Sequence, residues 1–389
     1  IQSPHDPTFF QDPYPVYDQA RRDGPVVFWK DYGMLAAFDH ATVHALLRDK
    51  RLGRAVPDSR KVPAPDHLRA FHAVERYSLL ELEPPEHTRL RRLVLHAFTS
   101  RRIAGLAPDI HAICADLLAD MPKDTFDLIP AYCQMVPVRV IARLLGVPEA
   151  LAPDLLRWSS AMVAMYQAGR TRAIEDAANT AATEFADFLR AYIEQRRMTP
   201  GDDLITELIA AQDAGGRLSP DEMIGTMILL LNAGHEATVH SLGTAVKCIV
   251  ETGTTHALGP DSIENTVEEL LRFTPPLHMF TRYAYDTIEL GAHTLNPGEE
   301  IALMLGAAGR DPAIFTDPHL FNPARQKPTH LAFGGGLHFC VGAPLARLEM
   351  QIALPALFDA LPNLKIAQGP TFSDSYHFHK LDELMVHTS

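Results

Sequence analysis

The sequence predicts a mainly helical α+β protein, and three observations carry that expectation. Apolar residues recur at three- and four-residue spacing through most of the chain, strand-like runs are short and few, and one segment is apolar on every face at its middle. The helical spacing covers residues 11–23, 87–119, 131–146, 151–167, 173–197, 203–212, 219–251, 261–273 and 343–361. Val26–Trp29, Met34–Phe38, Tyr283–Tyr285, Thr287–Leu290 and Glu300–Met304 read as strands of small sheets, with Asn296-Pro297-Gly298 as a turn between the last two.

The longest helix announces its own start. In Ser219-Pro220-Asp221-Glu222, Ser219 suits the N-cap, Pro220 the first helical position and Glu222 a capping box. The pattern then runs to about Glu251, a rod of ~45 Å at ~1.5 Å per residue. Its centre, Met227–Leu231, is apolar all round, so a long central helix is expected.

With 389 residues, 47% of them hydrophobic, the chain can bury a large core. Its 30 prolines are scattered, and neither a linker composition nor an internal repeat divides it. A single domain over residues 1–389, acting as a monomer, is the expectation. Lys+Arg number 35 against 48 Asp+Glu, and the net charge of −13 argues against nucleic acid or an anionic membrane as partner. Four cysteines (Cys114, Cys133, Cys248, Cys340) make no disulfide framework and suit a reducing compartment. Residues Ile1–Pro7 have neither the basic region nor the apolar stretch of a secretory leader, and no window reaches the ~18 apolar residues of a membrane span. A cytoplasmic protein is expected.

Chemistry concentrates around Cys340. In Phe333-Gly334-Gly335-Gly336-Leu337-His338-Phe339-Cys340-Val341-Gly342-Ala343, one cysteine follows a glycine-rich turn and precedes a helical run. Thiolates are strong metal ligands, glycines let backbone approach a flat cofactor, and a helix N-terminus stabilises a negative sulfur. A phosphate cradle would need Lys and then Ser or Thr where Leu337-His338 stand, and a zinc site would need more ligands near Cys340 than His338. From the loop alone, a buried inert cysteine stays open.

Three further segments attract attention. Ala233-Gly234-His235-Glu236-Ala237-Thr238 places two small residues and an acid inside the long helix, where a carboxylate is costly unless it is paired or catalytic. The alternative is a small-residue helix crossing. In Glu269-Leu270-Leu271-Arg272 the acid and base are three apart on one helix face; such a pair is worth under ~1 kcal/mol if exposed, but its apolar neighbours argue for burial. His87 and Arg91, four apart in Glu83-Pro84-Pro85-Glu86-His87-Thr88-Arg89-Leu90-Arg91-Arg92, could grip one carboxylate or form a plain surface pair.

Taken together, these segments resemble the cytochrome P450 family. The Cys340 loop is similar to that family's Phe-Gly-x-Gly-x-His-x-Cys-x-Gly at every fixed position, the 233–238 block to its Ala-Gly-x-Glu/Asp-Thr-Thr, and 269–272 to its Glu-x-x-Arg. Phe321-Asn322-Pro323-Ala324-Arg325 matches its Phe-x-Pro-x-Arg, and the matches keep the family's order from residue 83 to 349.

This resemblance implies the cytochrome P450 fold and haem b (iron protoporphyrin IX) with Cys340 as axial ligand, Phe333, Gly334, Gly336 and Gly342 shaping the loop. It implies that His87, Arg91, Arg282 and His338 hold the propionates, and that Glu269, Arg272 and Arg325 form a structural lock. Ala233, Gly234, Glu236, Ala237 and Thr238 are implied to line the oxygen groove. One departure stands out: Ala237 replaces the first threonine, whose hydroxyl assists proton delivery in the family. Thr238 cannot substitute, because one residue turns the side chain by ~100°. A substrate hydroxyl, an ordered water or a different reaction are the open explanations. By family position, Leu230, Leu277, His278, Met279, Phe280 and Phe378 are expected at the substrate pocket.

The implied activity is a haem-thiolate monooxygenase of the class acting on paired donors with dioxygen, oxidising a small organic substrate. No flavin or iron–sulfur motif is evident, so NAD(P)H electrons are expected through a separate ferredoxin or flavodoxin and its reductase. Arg89, Arg91, Arg92, Arg101, Arg102 and Arg347 are expected either as its landing site or as a solvated face with structural ion pairs. The competing classes are a peroxide-using or otherwise specialised haem-thiolate enzyme (coupling or dealkylating), and a non-catalytic haem-binding protein.

Overall fold

A computed structural model describes residues 1–167, 169–213, 218–326, 329–375 and 378–388. These form two compact units. One comprises Ile1–Arg60, Cys114–Cys133 and Ala237–Ser389, the other Lys61–Ile113 and Gln134–Glu236.

Among the described residues, all strands lie in the first unit. Its strands are β1 (Val26–Trp29), β2 (Met34–Ala37), β3 (Leu52–Gly53), β4 (Phe126–Asp127), β5 (Met279–Ala284), β6 (Ile288–Leu290), β7 (His293–Leu295), β8 (Glu300–Met304), β9 (Lys365–Ile366) and β10 (Met385–His387). Five pair in the order β1-β2-β8-β5-β3, parallel only between β2 and β8. Strand β8 shows why the sheet sits where it does. Ile301 and Leu303 enter one apolar cluster, with Val43 and Leu46, while Ala302 and Met304 enter another, with Tyr17, Trp29 and Phe38. Alternating side chains are thus buried on both faces, which explains an unbroken apolar run. The strands β6 and β7 form a hairpin ahead of the Asn296–Gly298 turn, where Gly298 has φ +87°.

In the second unit the core is helical. Trp158 stacks on Phe185 at 4.8 Å and donates from Nε1 to Glu184 at 2.8 Å. Residues 87–119, expected as one helix, are three: Glu86–Ala97, Ser100–Gly105 and Ala107–Ala119. The Thr99 hydroxyl accepts from the Arg102 N–H and caps the middle piece, so a local side-chain bond replaces helix continuity.

The long helix runs from Pro220 to Thr252, giving its first half to the second unit and its last to the first. The capping box forms as expected: the Ser219 N–H donates to Glu222 at 2.8 Å and the Glu222 N–H to the Ser219 hydroxyl at 3.2 Å. Three of its glycines are filled from outside. A Cβ on Gly225 would meet Tyr77 at 2.9 Å, one on Gly234 would meet Ile141 at 2.7 Å, and one on Gly243 would meet Ile129 at 2.7 Å. Among the described residues, no helix is long and apolar enough to cross a membrane.

Candidate functional site

The Cys340 loop lies in the first unit, between Leu331 and the helix Ala343–Ala360. Gly334 (φ +70°) and Gly336 (φ +65°) take left-handed backbone, which side chains disfavour. Space is equally restrictive: a Cβ on Gly336 would stand 2.3 Å from the Leu47 carbonyl oxygen, and one on Gly334 would stand 3.0 Å from the Phe280 ring. The folded-back loop lets the Cys340 N–H donate to the Phe333 carbonyl at 3.1 Å. Cys340 is exposed, whereas Cys114, Cys133 and Cys248 are buried. Burial pushes the Cys114 thiol up to about 11 and the Cys248 thiol to about 12, and raises Cys133 as well. Those three stay protonated, inert core residues.

The position of the sulfur suits a ligand. Gly342 precedes the helix, and the Cys340 Sγ is only 3.9 Å from where a Cβ of Gly342 would be. A helix start beside the sulfur favours its anionic form. An exposed soft donor in a loop lined by backbone and glycine would suit a thiolate ligand to haem iron. His338 is half-buried in the same loop, and Arg282 is buried on β5, opposite Ile301 of β8.

Behind the loop, Glu269 and Arg272 are fully buried. Arg272 donates to both carboxylate oxygens at 2.7 Å and to the carbonyls of Gly309, Pro318 and Leu320. Arg325 Nε reaches the same carboxylate at 3.1 Å. Burial, rather than a surface pairing, is what the structure gives Glu269 and Arg272, while Arg325 is half-buried.

In the long helix Ala233 is exposed, Gly234, Glu236 and Ala237 are half-buried and Thr238 is buried. Gly234 has a packing reason as well, since it makes room for Ile141. Leu230 is buried. In the second unit His87 is fully buried and Arg91 half-buried, both on the helix Glu86–Ala97.

The expected pocket residues divide. His278 is a core residue: its Nδ1 meets the Tyr17 hydroxyl at 2.9 Å, its ring lies 4.4 Å from that of His379, and burial holds it neutral. Met279 belongs to the core cluster around Trp29, and Phe280 backs the Cys340 loop. His278 and Met279 are buried, while Phe280 is half-buried. Leu277 and Phe378 pair as an isolated antiparallel bridge, and Phe378 makes an edge contact with His240 of the long helix at 5.4 Å.

The basic cluster is largely neutralised. Arg89 pairs with Glu222, Arg102 with Glu207, and Arg347 with Glu268, leaving Arg92 and Arg101 exposed. Sequence reasoning missed Glu268, which sits beside Glu269 on the helix Ile263–Phe273; two consecutive acids in an otherwise apolar segment were the available signal. It also missed Leu47 and Arg48, which back the loop glycines through a long-range contact with no local signature.

The class of this protein, with its buried Glu269–Arg272 pair and its glycine-turned cysteine loop, follows from comparison with known proteins. The sequence profile of the cytochrome P450 family matches residues 263–373. The chain is 35% identical over 92% of its length to 6-deoxyerythronolide B hydroxylase of Saccharopolyspora erythraea, covering 91% of that protein. It is 34% identical over 93% of its length to cytochrome P450 monooxygenase PikC of Streptomyces venezuelae, covering 87% of it. Among solved structures, P450BioI in complex with an acyl carrier protein ligated to hexadec-9Z-enoic acid superimposes with TM-score 0.91 at 31% identity, covering 98% of this chain and 100% of that one. Cytochrome P450 PksS of the Bacillus subtilis 168 bacillaene polyketide synthase does so with TM-score 0.90 at 31% identity, covering all of both chains. The chain belongs to the cytochrome P450 family. It is accordingly a haem-thiolate monooxygenase of bacterial type, with the mainly helical fold and small sheets of that family.

Proposed function

We propose that this enzyme hydroxylates a polyketide-derived small molecule bearing at least one hydroxyl group, with Cys340 as the axial ligand of its haem. The substrate class is supported by relatives whose names specify 6-deoxyerythronolide B and polyketide biosynthesis. The haem, when bound, supplies dioxygen activation and the oxidising equivalent. The observation that carries the ligand assignment is the exposed Cys340 at a helix start, in a loop turned by Gly334 and Gly336, while the other three cysteines are buried.

Each remaining residue has a task of its own. By family position Arg282 and His338 would hold haem propionates, as would His87 and Arg91, and Glu269, Arg272 and Arg325 would keep the loop's foundation rigid. Glu236 exchanges protons with solvent through its half-buried carboxylate. Ala237 offers no hydroxyl, so the substrate's own hydroxyl or a water held by it completes the proton path beside Thr238. NAD(P)H electrons arrive one at a time through a reductase and an acidic ferredoxin or flavodoxin; with Arg89, Arg102 and Arg347 occupied by carboxylates, Arg92 and Arg101 are the cations left to attract it. The chain works as a single haem domain.

The experiment is spectroscopic. Reduced protein treated with carbon monoxide should give the Soret band of thiolate ligation, and Cys340→Ser should abolish it. An unchanged spectrum in that variant rejects the assignment. Ala237 also favours a second reading, in which peroxide replaces dioxygen and donor. Peroxide-driven turnover equal to that with ferredoxin and reductase would select it.

A further inference from the structure

Glu268 is not used by the reaction described above, yet it is the centre of a second, half-buried charge cluster in the first unit. Its Oε1 accepts from Arg347 Nε at 2.5 Å, and its Oε2 accepts from Arg347 Nη2 at 3.0 Å. His330 adds a third contact, Nε2 to Oε2 at 3.2 Å. The His330 tautomer follows from its other nitrogen: the Ala332 N–H donates to Nδ1 at 3.2 Å, so the ring proton is on Nε2 and points at the carboxylate. Burial alone would raise the Glu268 carboxyl, but the hydrogen bonds from His330 and Arg347 outweigh it and hold it at about 2.

The cluster reaches the ligand loop at Phe333. The Arg347 guanidinium carbon lies 4.5 Å from the centre of the Phe333 ring, and His330 flanks the same ring at 5.9 Å. Phe333 in turn supplies the carbonyl that accepts the Cys340 N–H at 3.1 Å. Carboxylate, guanidinium, aromatic ring and backbone amide therefore form one connected series ending at Cys340. Neighbouring acids on one helix divide the work: Glu269 binds Arg272 and Arg325, while Glu268 serves the helix that follows the cysteine.

We propose that Glu268 is a positioning residue for the Cys340 ligand, acting by fixing Arg347 against Phe333 and by neutralising the cation stacked on the ligand loop. This rests on Cys340 being the axial thiolate. An uncompensated cation beside that loop would favour the reduced haem, and an uncompensated anion the oxidised one.

The test uses haem-loaded protein and two single variants, Glu268→Gln and Arg347→Gln. Each is read by the midpoint potential and by the rate at which the reduced carbon-monoxide complex loses its thiolate-type Soret band. Both variants should lose the band at least fivefold faster than wild type. Their potentials should move in opposite directions, more positive for Glu268→Gln and more negative for Arg347→Gln. Should Glu268→Gln fail to take up haem, the negative shift in Arg347→Gln decides alone. Potentials equal to wild type overturn the proposal, even if the melting temperature falls, because a purely structural role predicts that result. If wild-type protein itself lacks the thiolate-type band, the Cys340 assignment fails instead, which is a separate outcome.

Discussion

Glu269 and Arg272 meet through two parallel hydrogen bonds of 2.7 Å, and neither side chain exposes any surface to solvent. Burying two ions is costly unless every hydrogen-bonding position is filled. Here the filling is thorough: Arg272 serves three carbonyls besides, and Glu269 also accepts from Arg325 and from the Asn322 N–H at 3.0 Å. Replacing Arg272 with Ala leaves a buried carboxylate without its main partner. The expected loss is about 3–5 kcal/mol, read as a lower denaturation midpoint with little haem retained. Arg325→Ala, at the partly exposed edge of the lock, should cost less.

Glu349 gives a prediction of the opposite sign. It is fully buried on the helix after the cysteine loop, neither of its oxygens has a hydrogen-bond partner among the described residues, and burial raises its pKa well above the usual 4.5. The folded protein keeps this proton while the unfolded chain releases it above about 4.5. Stability therefore falls as pH rises from there toward the folded-state value. Glu349→Gln should remove that slope. At pH 8 the variant should melt higher by ~2–4 °C per kcal/mol recovered, and at pH 4 it should match wild type.

Acid should unfold the first unit through its buried histidines. Burial lowers the pKa of His278 well below 6.5, and burial brings His379 to about 3 despite the bond from its Nε2 to the Phe10 carbonyl. Both are neutral when folded and charged when unfolded below pH 6.5. Their stabilisation is thus intact above 6.5 and is lost as pH falls toward about 3. Each contributes a slope of up to ~1.4 kcal/mol per pH unit. Unfolding of His379→Gln, followed from pH 7 to 4, should show a shallower acid limb than wild type.

Ala237→Thr tests proton delivery. With a hydroxyl-bearing substrate the wild type should couple electron use to product, and should leak hydrogen peroxide with the deoxy analogue. The added threonine should rescue the analogue by at least several fold in the product-to-peroxide ratio. Equal coupling for both ligands in wild type would remove the substrate from the proton path.

What could be read from the chain was local. The Cys340 loop, the Ser219–Glu222 cap and the Glu269–Arg272 pair lie within a few residues of one another in sequence, so spacing alone exposes them. Strands β3, β4, β9 and β10 were invisible because they are two or three residues long and exist only through distant partners, such as Leu52 with Ala284 and Val386 with Phe126. The surroundings of His278 were beyond reach for a related reason: Tyr17 and His379, which meet its ring, are far away in sequence. Pairing of the arginines at 89, 102 and 347 was likewise beyond reach, since each carboxylate comes from a separate helix.

Gly225, Gly234 and Gly243 recur at intervals of about two and a half turns, so successive notches face opposite sides of the helix. Tyr77, Ile141 and Ile129 seat in them like detents on a shaft. Axial slip by one turn, ~5.4 Å, would lift Tyr77 and Ile141 of the second unit out of theirs together. Ala237 lies between two of these stops, so a residue exchanged there cannot be absorbed by shifting the rod, and its chemical effect stays where it is made.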